Sequence, residues 1–432
     1  MQRRRRSPAK WAKEQLLGIR ISRGFVGAAV VAAPIALFSF FAVAANSGIA
    51  IPLFRAAGPS LYPDFDILDK RDAAIVGKKI TPAKAREHVA ESRALLVSAP
   101  LSSTVVRSIA LGRDALGDKQ GAARSMAIAS RLSRRDGLTQ MWLANAALRK
   151  EDAQEGFRHF DTFLRTYSPA ETQVAIEQMV GALRFREARV ELAPYVSASN
   201  PWYERFIGVA AGRAPKAADV ADLLLRAKSI PDNPYLRGYY ATLFERLINE
   251  KAYAEALRLY PRLPGAKPGV LRAVAATPET LSVGYAPAIW SFADDVDRGG
   301  APRETNNGIG LEFYAQADTI GISGQKLIQF PATGKPQTFY WTVAEQETNS
   351  GSSARWKLNC LGPKQPAEIQ SVNLMTVQPE SRLRMAVPAG CEIAVLRMEM
   401  AGGVGNNMAR IVVDRLRTET DGDSPVKART AR

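Results

Sequence analysis

A change of hydrophobic period near Tyr285 constrains this chain more than any other feature. Before it, apolar residues recur every three or four positions, as in Ala153, Phe157, Phe160 and Leu164. That spacing lines one face of a helix. After it, runs such as "IGLEFYA", "TFYWTVAE", "RWKLNC", "CEIAVLRMEM" and "ARIVVDRL" alternate with period two, and Gly, Pro, Asn and Ser separate them. Short alternating runs bounded by turn residues read as strands. The expected fold class is multidomain, α then β, ending in an antiparallel β-sandwich or jelly roll.

In the helical half, shifting "ALGRDALGDKQGAARSMAIASRL" by 32 positions lays Ala115 on Ala147, Leu116 on Leu148, Gly121 on Ala153 and Leu132 on Leu164. This is the layout of a helix-turn-helix unit, close to the 34 residues of tetratricopeptide repeats, with turns at Asp118 and Asp152. One unit cannot bury its apolar face alone, so 81–263 is read as a TPR-like α-solenoid whose concave surface takes a protein partner. Trp142, Phe157, Phe160 and Phe163 are read as core, and Trp202 as packing between helices. The Pro and Gly density of "LPGAKPG" marks the next boundary; 284–418 is the sandwich, and 419–432 a polar, disordered tail.

The other end of the chain bears on compartment. Residues 1–24 hold eight Lys and Arg against Glu14, so they supply +7 of the formal net charge of +16. Phe25 to Ala45 follows, 21 residues without a charge. At about 1.5 Å per residue the run spans roughly 30 Å, the thickness of a bilayer core. Positive charge before an apolar run predicts a single-pass bacterial inner-membrane protein, N-terminus cytoplasmic and body periplasmic, with 46–80 as a linker. A cleaved signal peptide, with a small-x-small site at Ala42 to Ala44, is the alternative. Either reading exports the body and removes nucleic acid as a partner of the basic surplus.

Cys360 and Cys391 are the only cysteines. In an oxidising compartment, in neighbouring strands, they are expected to form a disulfide, the alternative being two reduced thiols acting as small apolar groups. With histidine only at 88 and 159, the β-region cannot build a His-based metal site or a Ser-His-Asp relay. Asp294, Asp295 and Asp297 in "ADDVDRGG" form a loop that can ligate Ca²⁺ through oxygen or stand as a solvated acidic turn. No other cofactor is indicated. "GGVGNN" reads as a hairpin loop rather than a phosphate cradle. Alternation sends Phe339, Trp341 and Val343 to the core, leaving Tyr340, and Tyr314 in "EFYA", for stacking on a sugar ring. Glu312, Glu345 and Glu399 are strand carboxylates that could approach one another, but nothing selects a pair.

Several of these stretches, "LSRRDGLTQMWLANAALRKEDAQEGFRHFDTFLRT", "NPWYERF", "IWSFADD", "RWKLNC" and "VPAGC", resemble membrane-anchored, exported tetratricopeptide-like proteins of alphaproteobacteria, of sphingomonad type. The resemblance implies architecture and names no chemistry. The β-region also looks like carbohydrate-binding modules in strand count. The expected function is a non-enzymatic scaffold at the inner membrane, with a protein partner on the solenoid and an envelope glycan or second protein on the sandwich. The alternative is a carbohydrate-active enzyme using sandwich carboxylates.

Overall fold

The computed structural model describes residues 80–420 apart from 332–335, 362–367 and 406–407, together with Leu68, 71–72 and 75–76. The basic segment 1–24, the apolar run 25–45 and the tail from 421 lie outside the described residues. Among the described residues no helix is long and apolar enough to cross a membrane. The single-pass inner-membrane reading is corrected accordingly. An uncharged run has the composition of a span, but composition alone does not make the helix a span requires. By contact the chain divides into two compact units, 1–168 and 169–432.

In the first unit, α1 (Pro82–Ser98), α2 (Ser103–Ala115), α3 (Lys119–Leu132), α4 (Gly137–Leu148) and α5 (Ala153–Thr166) pack sequentially on one another. Side-chain caps start them: Ser102 accepts from the Val105 amide, Asp118 from Gly121, Asp136 from Thr139 and Asp152 from Glu155. Each cap satisfies a helix-terminal amide that has no partner within the helix. The caps recur at a spacing of 34 (102 to 136, 118 to 152), not the 32 of the alignment. The short shift matched apolar residues across turns of unequal length.

Phe157, Phe160, Phe163 and Leu164 are buried as expected, and His159 is buried beside them, its Nδ1 2.6 Å from Gln140 Oε1. Burial holds its pKa below the ordinary histidine value. Part of the presumed linker is ordered: Leu68 and Asp72 are helical and buried. Asp72 accepts from Arg107 Nε at 2.9 Å and Ser108 Oγ at 2.7 Å, and contacts His88 Nε2 at 3.1 Å. Arg107 also donates to Asp136 at 2.7 Å. A docking point made of a carboxylate leaves no apolar period to read.

The second unit opens with helices α6 (Pro169–Ala182), α7 (Arg186–Leu192), α8 (Tyr203–Arg213), α9 (Ala217–Arg226), α10 (Pro234–Asn249) and α11 (Tyr253–Leu259), then the short α12 (Pro268–Arg272) and α13 (Pro278–Ser282). Trp202 is 1% exposed and packs on Tyr195 and Phe206. Among the described residues ten strands follow: β1 (Ser291–Phe292), β2 (Arg298–Thr305), β3 (Gly308–Ala315), β4 (Ile320–Gln329), β5 (Gln337–Glu347), β6 (Ser353–Cys360), β7 (Glu368–Gln370), β8 (Arg382–Val387), β9 (Ile393–Ala401) and β10 (Ala409–Thr420).

These strands form two antiparallel sheets, β1-β4-β9-β6-β7 and β2-β3-β10-β5-β8. The alternating residues Leu311, Phe313, Phe339, Trp341, Val343, Trp356 and Leu358 fill the space between them. Trp356 lies at the centre, with the rings of Trp290, Phe313, Phe339 and Trp341 at 5.6 to 6.5 Å. Each such pair adds about 0.5–1.5 kcal/mol beyond the area it buries.

The chain between the helices and the sandwich plugs this core: Val274 and Trp290 belong to it, and Trp290 Nε1 donates to the Val274 carbonyl at 3.1 Å. Lys326 of β4 is fully buried and gives its ammonium hydrogens to the carbonyls of Val270, at 3.0 Å, and Ala288. The "GGVGNN" stretch is not a hairpin loop, because β9 and β10 lie in different sheets. Close backbone packing demands glycine there: a Cβ on Gly402 would sit 1.7 Å from the Gln316 carbonyl oxygen.

Candidate functional site

β10 pairs with β5 so that Asp414 faces Thr342 and Arg417 faces Tyr340. Arg415 and Leu416 together therefore oppose Trp341 alone, which is a β-bulge. Arg415 adopts φ 50, a left-handed conformation that costs a side-chain-bearing residue about 1–2 kcal/mol. The bulge keeps Val413 and Leu416 in the core and leaves Asp414, Arg415 and Arg417 on the outer side. Across β5, β8 places Arg384 opposite Tyr340 and Arg382 opposite Thr342.

These strands enclose a cleft of about 220 Å³ walled by Tyr340, Thr342, Arg382, Arg384, Arg415 and Arg417. The Arg417 guanidinium lies over the Tyr340 ring, 4.9 Å from its centre, and its Nε donates to Glu419 at 2.6 Å. Arg415 donates to Asn307 Oδ1. Arg382 and Arg384 are exposed, and no carboxylate among the described residues pairs with either.

Adjoining it, where Asp414 precedes Arg415, is a second cleft of about 340 Å³ with Glu304, Asn307, Glu345, Glu380 and Asp414 in its wall. Asp414 is 1% exposed. Its Oδ2 accepts from Thr305 Oγ1 at 2.9 Å, at the end of β2, and from Asn307 Nδ2 at 3.0 Å, in the turn that follows. Its Oδ1 is buried, and nothing among the described residues donates to it. Beyond this cleft, Arg410 bonds Glu312 at 3.1 Å and Glu345 at 3.5 Å, and Arg303 reaches Glu345 at 3.4 Å, roofing the outward-facing Val412.

The structure brings Tyr340 into the basic cleft, but one face of its ring already carries a guanidinium. Tyr314 faces Arg410, seven positions along β10 from the partner of Tyr340, or roughly 20 Å at about 3.4 Å per residue once the bulged residue is left out. Its hydroxyl lies 3.5 Å from the Asp295 carbonyl oxygen, and the two tyrosines share no site.

Asp294, Asp295 and Asp297 do not converge: Asp294 bridges to Gly299, Asp295 pairs with Arg298 at 3.5 Å, and the Asp297 carbonyl accepts from the Gln316 amide. Among the described residues no group of three His, Cys, Asp or Glu is placed to hold a metal ion. Glu399 lies in the other sheet, paired with Lys357 at 2.7 Å, apart from Glu312 and Glu345. Cys360 and Cys391 are joined in a disulfide with Cα atoms 5.6 Å apart.

The four cleft arginines and Asp414 went unnamed in the sequence reading. The signal was present: in "RLRMAV" the alternation that sends Leu383 and Met385 one way sends Arg382 and Arg384 the other. The bulge that aligns Arg417 with them has no such signature.

No protein-family model and no curated protein matches the chain. Among solved structures, similarity extends to a carbohydrate-binding module in complex with β-1,4-galactotriose, at 12% identity and TM-score 0.21, over 31% of this chain and 88% of that one. It extends also to xylanase modules of Clostridium thermocellum complexed with xylohexaose, at 11% identity and TM-score 0.22, over 31% of this chain and 26% of that one. A third is a carbohydrate-binding module structure of the β-sandwich superfamily, at 9% identity and TM-score 0.22, over 30% and 56%. Scores this low carry no argument, and those ligands belong to those proteins.

Proposed function

We propose that the chain is a binding protein that takes a saccharide on the outer face of the second sheet and performs no bond-breaking chemistry there. The observation that carries this reading is Asp414. A buried carboxylate oxygen without a donor costs about 1–3 kcal/mol, more for a charge, and calls for hydroxyl or amide hydrogens. A sugar presents neighbouring hydroxyls as donors, and Glu345, Glu380 and Asn307 in the same wall add acceptors for the rest.

Hydrolysis would need two carboxylates at a set distance, one kept protonated. Glu312 and Glu345 instead share Arg410, which ties both into one ion-pair cluster, and this supports binding without catalysis.

The test is affinity electrophoresis of the full chain through gels containing a panel of neutral and acidic polysaccharides. At least one should retard the protein. Asp414→Asn and the exposed Glu380→Gln should each weaken that retardation several-fold, with Glu380→Gln leaving the melting temperature unchanged. A chain that no polysaccharide retards, or full retardation in both variants, overturns the reading.

A further inference from the structure

We infer that the basic cleft reads an anionic substituent, so that the saccharide bound on this face is acidic, carrying carboxylate or sulfate groups. This rests on the saccharide reading of the neighbouring cleft, but on different residues.

Four arginines converge on one cleft. Arg415 and Arg417 have partners within the chain, whereas Arg382 and Arg384 stand side by side on β8 with no carboxylate among the described residues paired to either guanidinium. Alternate residues of a strand lie about 7 Å apart on one face, so the two can grip separate oxygens of one substituent or of successive ones. A planar guanidinium fork matches carboxylate or sulfate oxygens in a bidentate manner, which a neutral hydroxyl cannot reproduce.

Tyr340 strengthens the case. A neutral pyranose stacks on an open ring, but here Arg417 occupies a ring face at 4.9 Å. The ring acts as a mount that fixes a cation at a set height above the sheet. The bulge has the same consequence: it spends a strained residue, Arg415 at φ 50, to hold two more arginines on this face. Asp414 borders the cleft directly, so one ligand spans both: its hydroxyls meet Asp414, and its acidic group meets Arg382 and Arg384.

The experiment uses the full chain and two matched pairs of polymers in affinity gels: pectate against carboxyl-reduced pectate, and dextran sulfate against dextran. Sodium polyphosphate is the charge-only control. One acidic member should retard the chain at least tenfold more strongly than its neutral partner, and which one does so separates carboxylate from sulfate. Added salt should weaken that retardation, since exposed charges are screened.

Arg382→Gln with Arg384→Gln should abolish the preference while leaving the melting temperature in place, both side chains being exposed. Equal retardation within each pair overturns the inference and leaves the saccharide reading standing. Retardation by none of the saccharides overturns both. Polyphosphate retarding as strongly as the preferred polymer, or an unaltered preference in the double variant, also overturns it.

Discussion

The two sheets of the sandwich share a core and differ in what lies behind them. In the first, α12 packs on β4, the Leu327 amide donates to the Pro287 carbonyl, and Leu327 and Val395 are buried although they lie outside the sandwich core. In the second, the outer face carries charged side chains of its own strands, with two clefts open between them. The contrast teaches where recognition can live. The face that the chain covers with its own segments contributes stability. The uncovered face keeps buried groups, Asp414 above all, whose hydrogen-bonding capacity is not used up within the molecule.

If the first sheet is the stabilising half, the largest losses should come from its linkages. The disulfide closes a 31-residue span from the end of β6 to the approach to β9, so chain entropy assigns it about 3–4 kcal/mol. Cys360→Ser with Cys391→Ser should lower the unfolding free energy by that amount in urea melts. Reductant should reproduce the loss in the parent and add nothing in the double variant. An unchanged midpoint would show that the sheet is held without the bond.

Next in size is Lys326. Burial lowers its pKa to about 7, against about 10.4 in an unfolded chain. Between those values the unfolded state binds a proton that the folded state does not, so stability rises as pH rises. Going from pH 7 to 9 should stabilise the protein by at most about 2–3 kcal/mol, read from melting curves, and Lys326→Met should flatten the slope. Above pH 10 the sign reverses, because burial pushes the Tyr240 hydroxyl up to about 12 and ionised tyrosines then favour the unfolded chain. The same slope in parent and variant would refute the assignment.

The smallest effect belongs to the second sheet. Arg415→Gly relieves the positive φ at an entropic cost, so its stability should stay within about 1 kcal/mol of the parent. A loss of several kcal/mol would mean that this arginine is structural and that the division between the sheets is less clean than it looks.

Legibility in the sequence depended on whether burial alternates along a strand, in either sheet. Period-two runs marked the major strands, since alternating burial is written directly in residue type. β2, "RGGAPRET", carries no strand signature, because an exposed edge strand needs no apolar alternation and its Gly and Pro read as breakers. The stretches "DTIGIS" and "QKLIQF" have the pattern of two short strands and form one, β4, with a register shift between Ile322 and Gly324 that interrupts the alternation. The disulfide was legible from count and placement. Asp414 was not, because its significance depends on Thr305 and Asn307, more than a hundred positions away.

The extra residue in β10 gives the recognition face one residue of slack in length. Exchanging any one arginine there removes one charge. Removing residue 415 altogether would let Leu416 alone oppose Trp341 and leave Arg417 opposite Tyr340, so the strand would become regular in the same phase. Substitution and loss at that position should therefore be graded alike, each taking one arginine from the cleft while the side facing the tryptophans stays as it is.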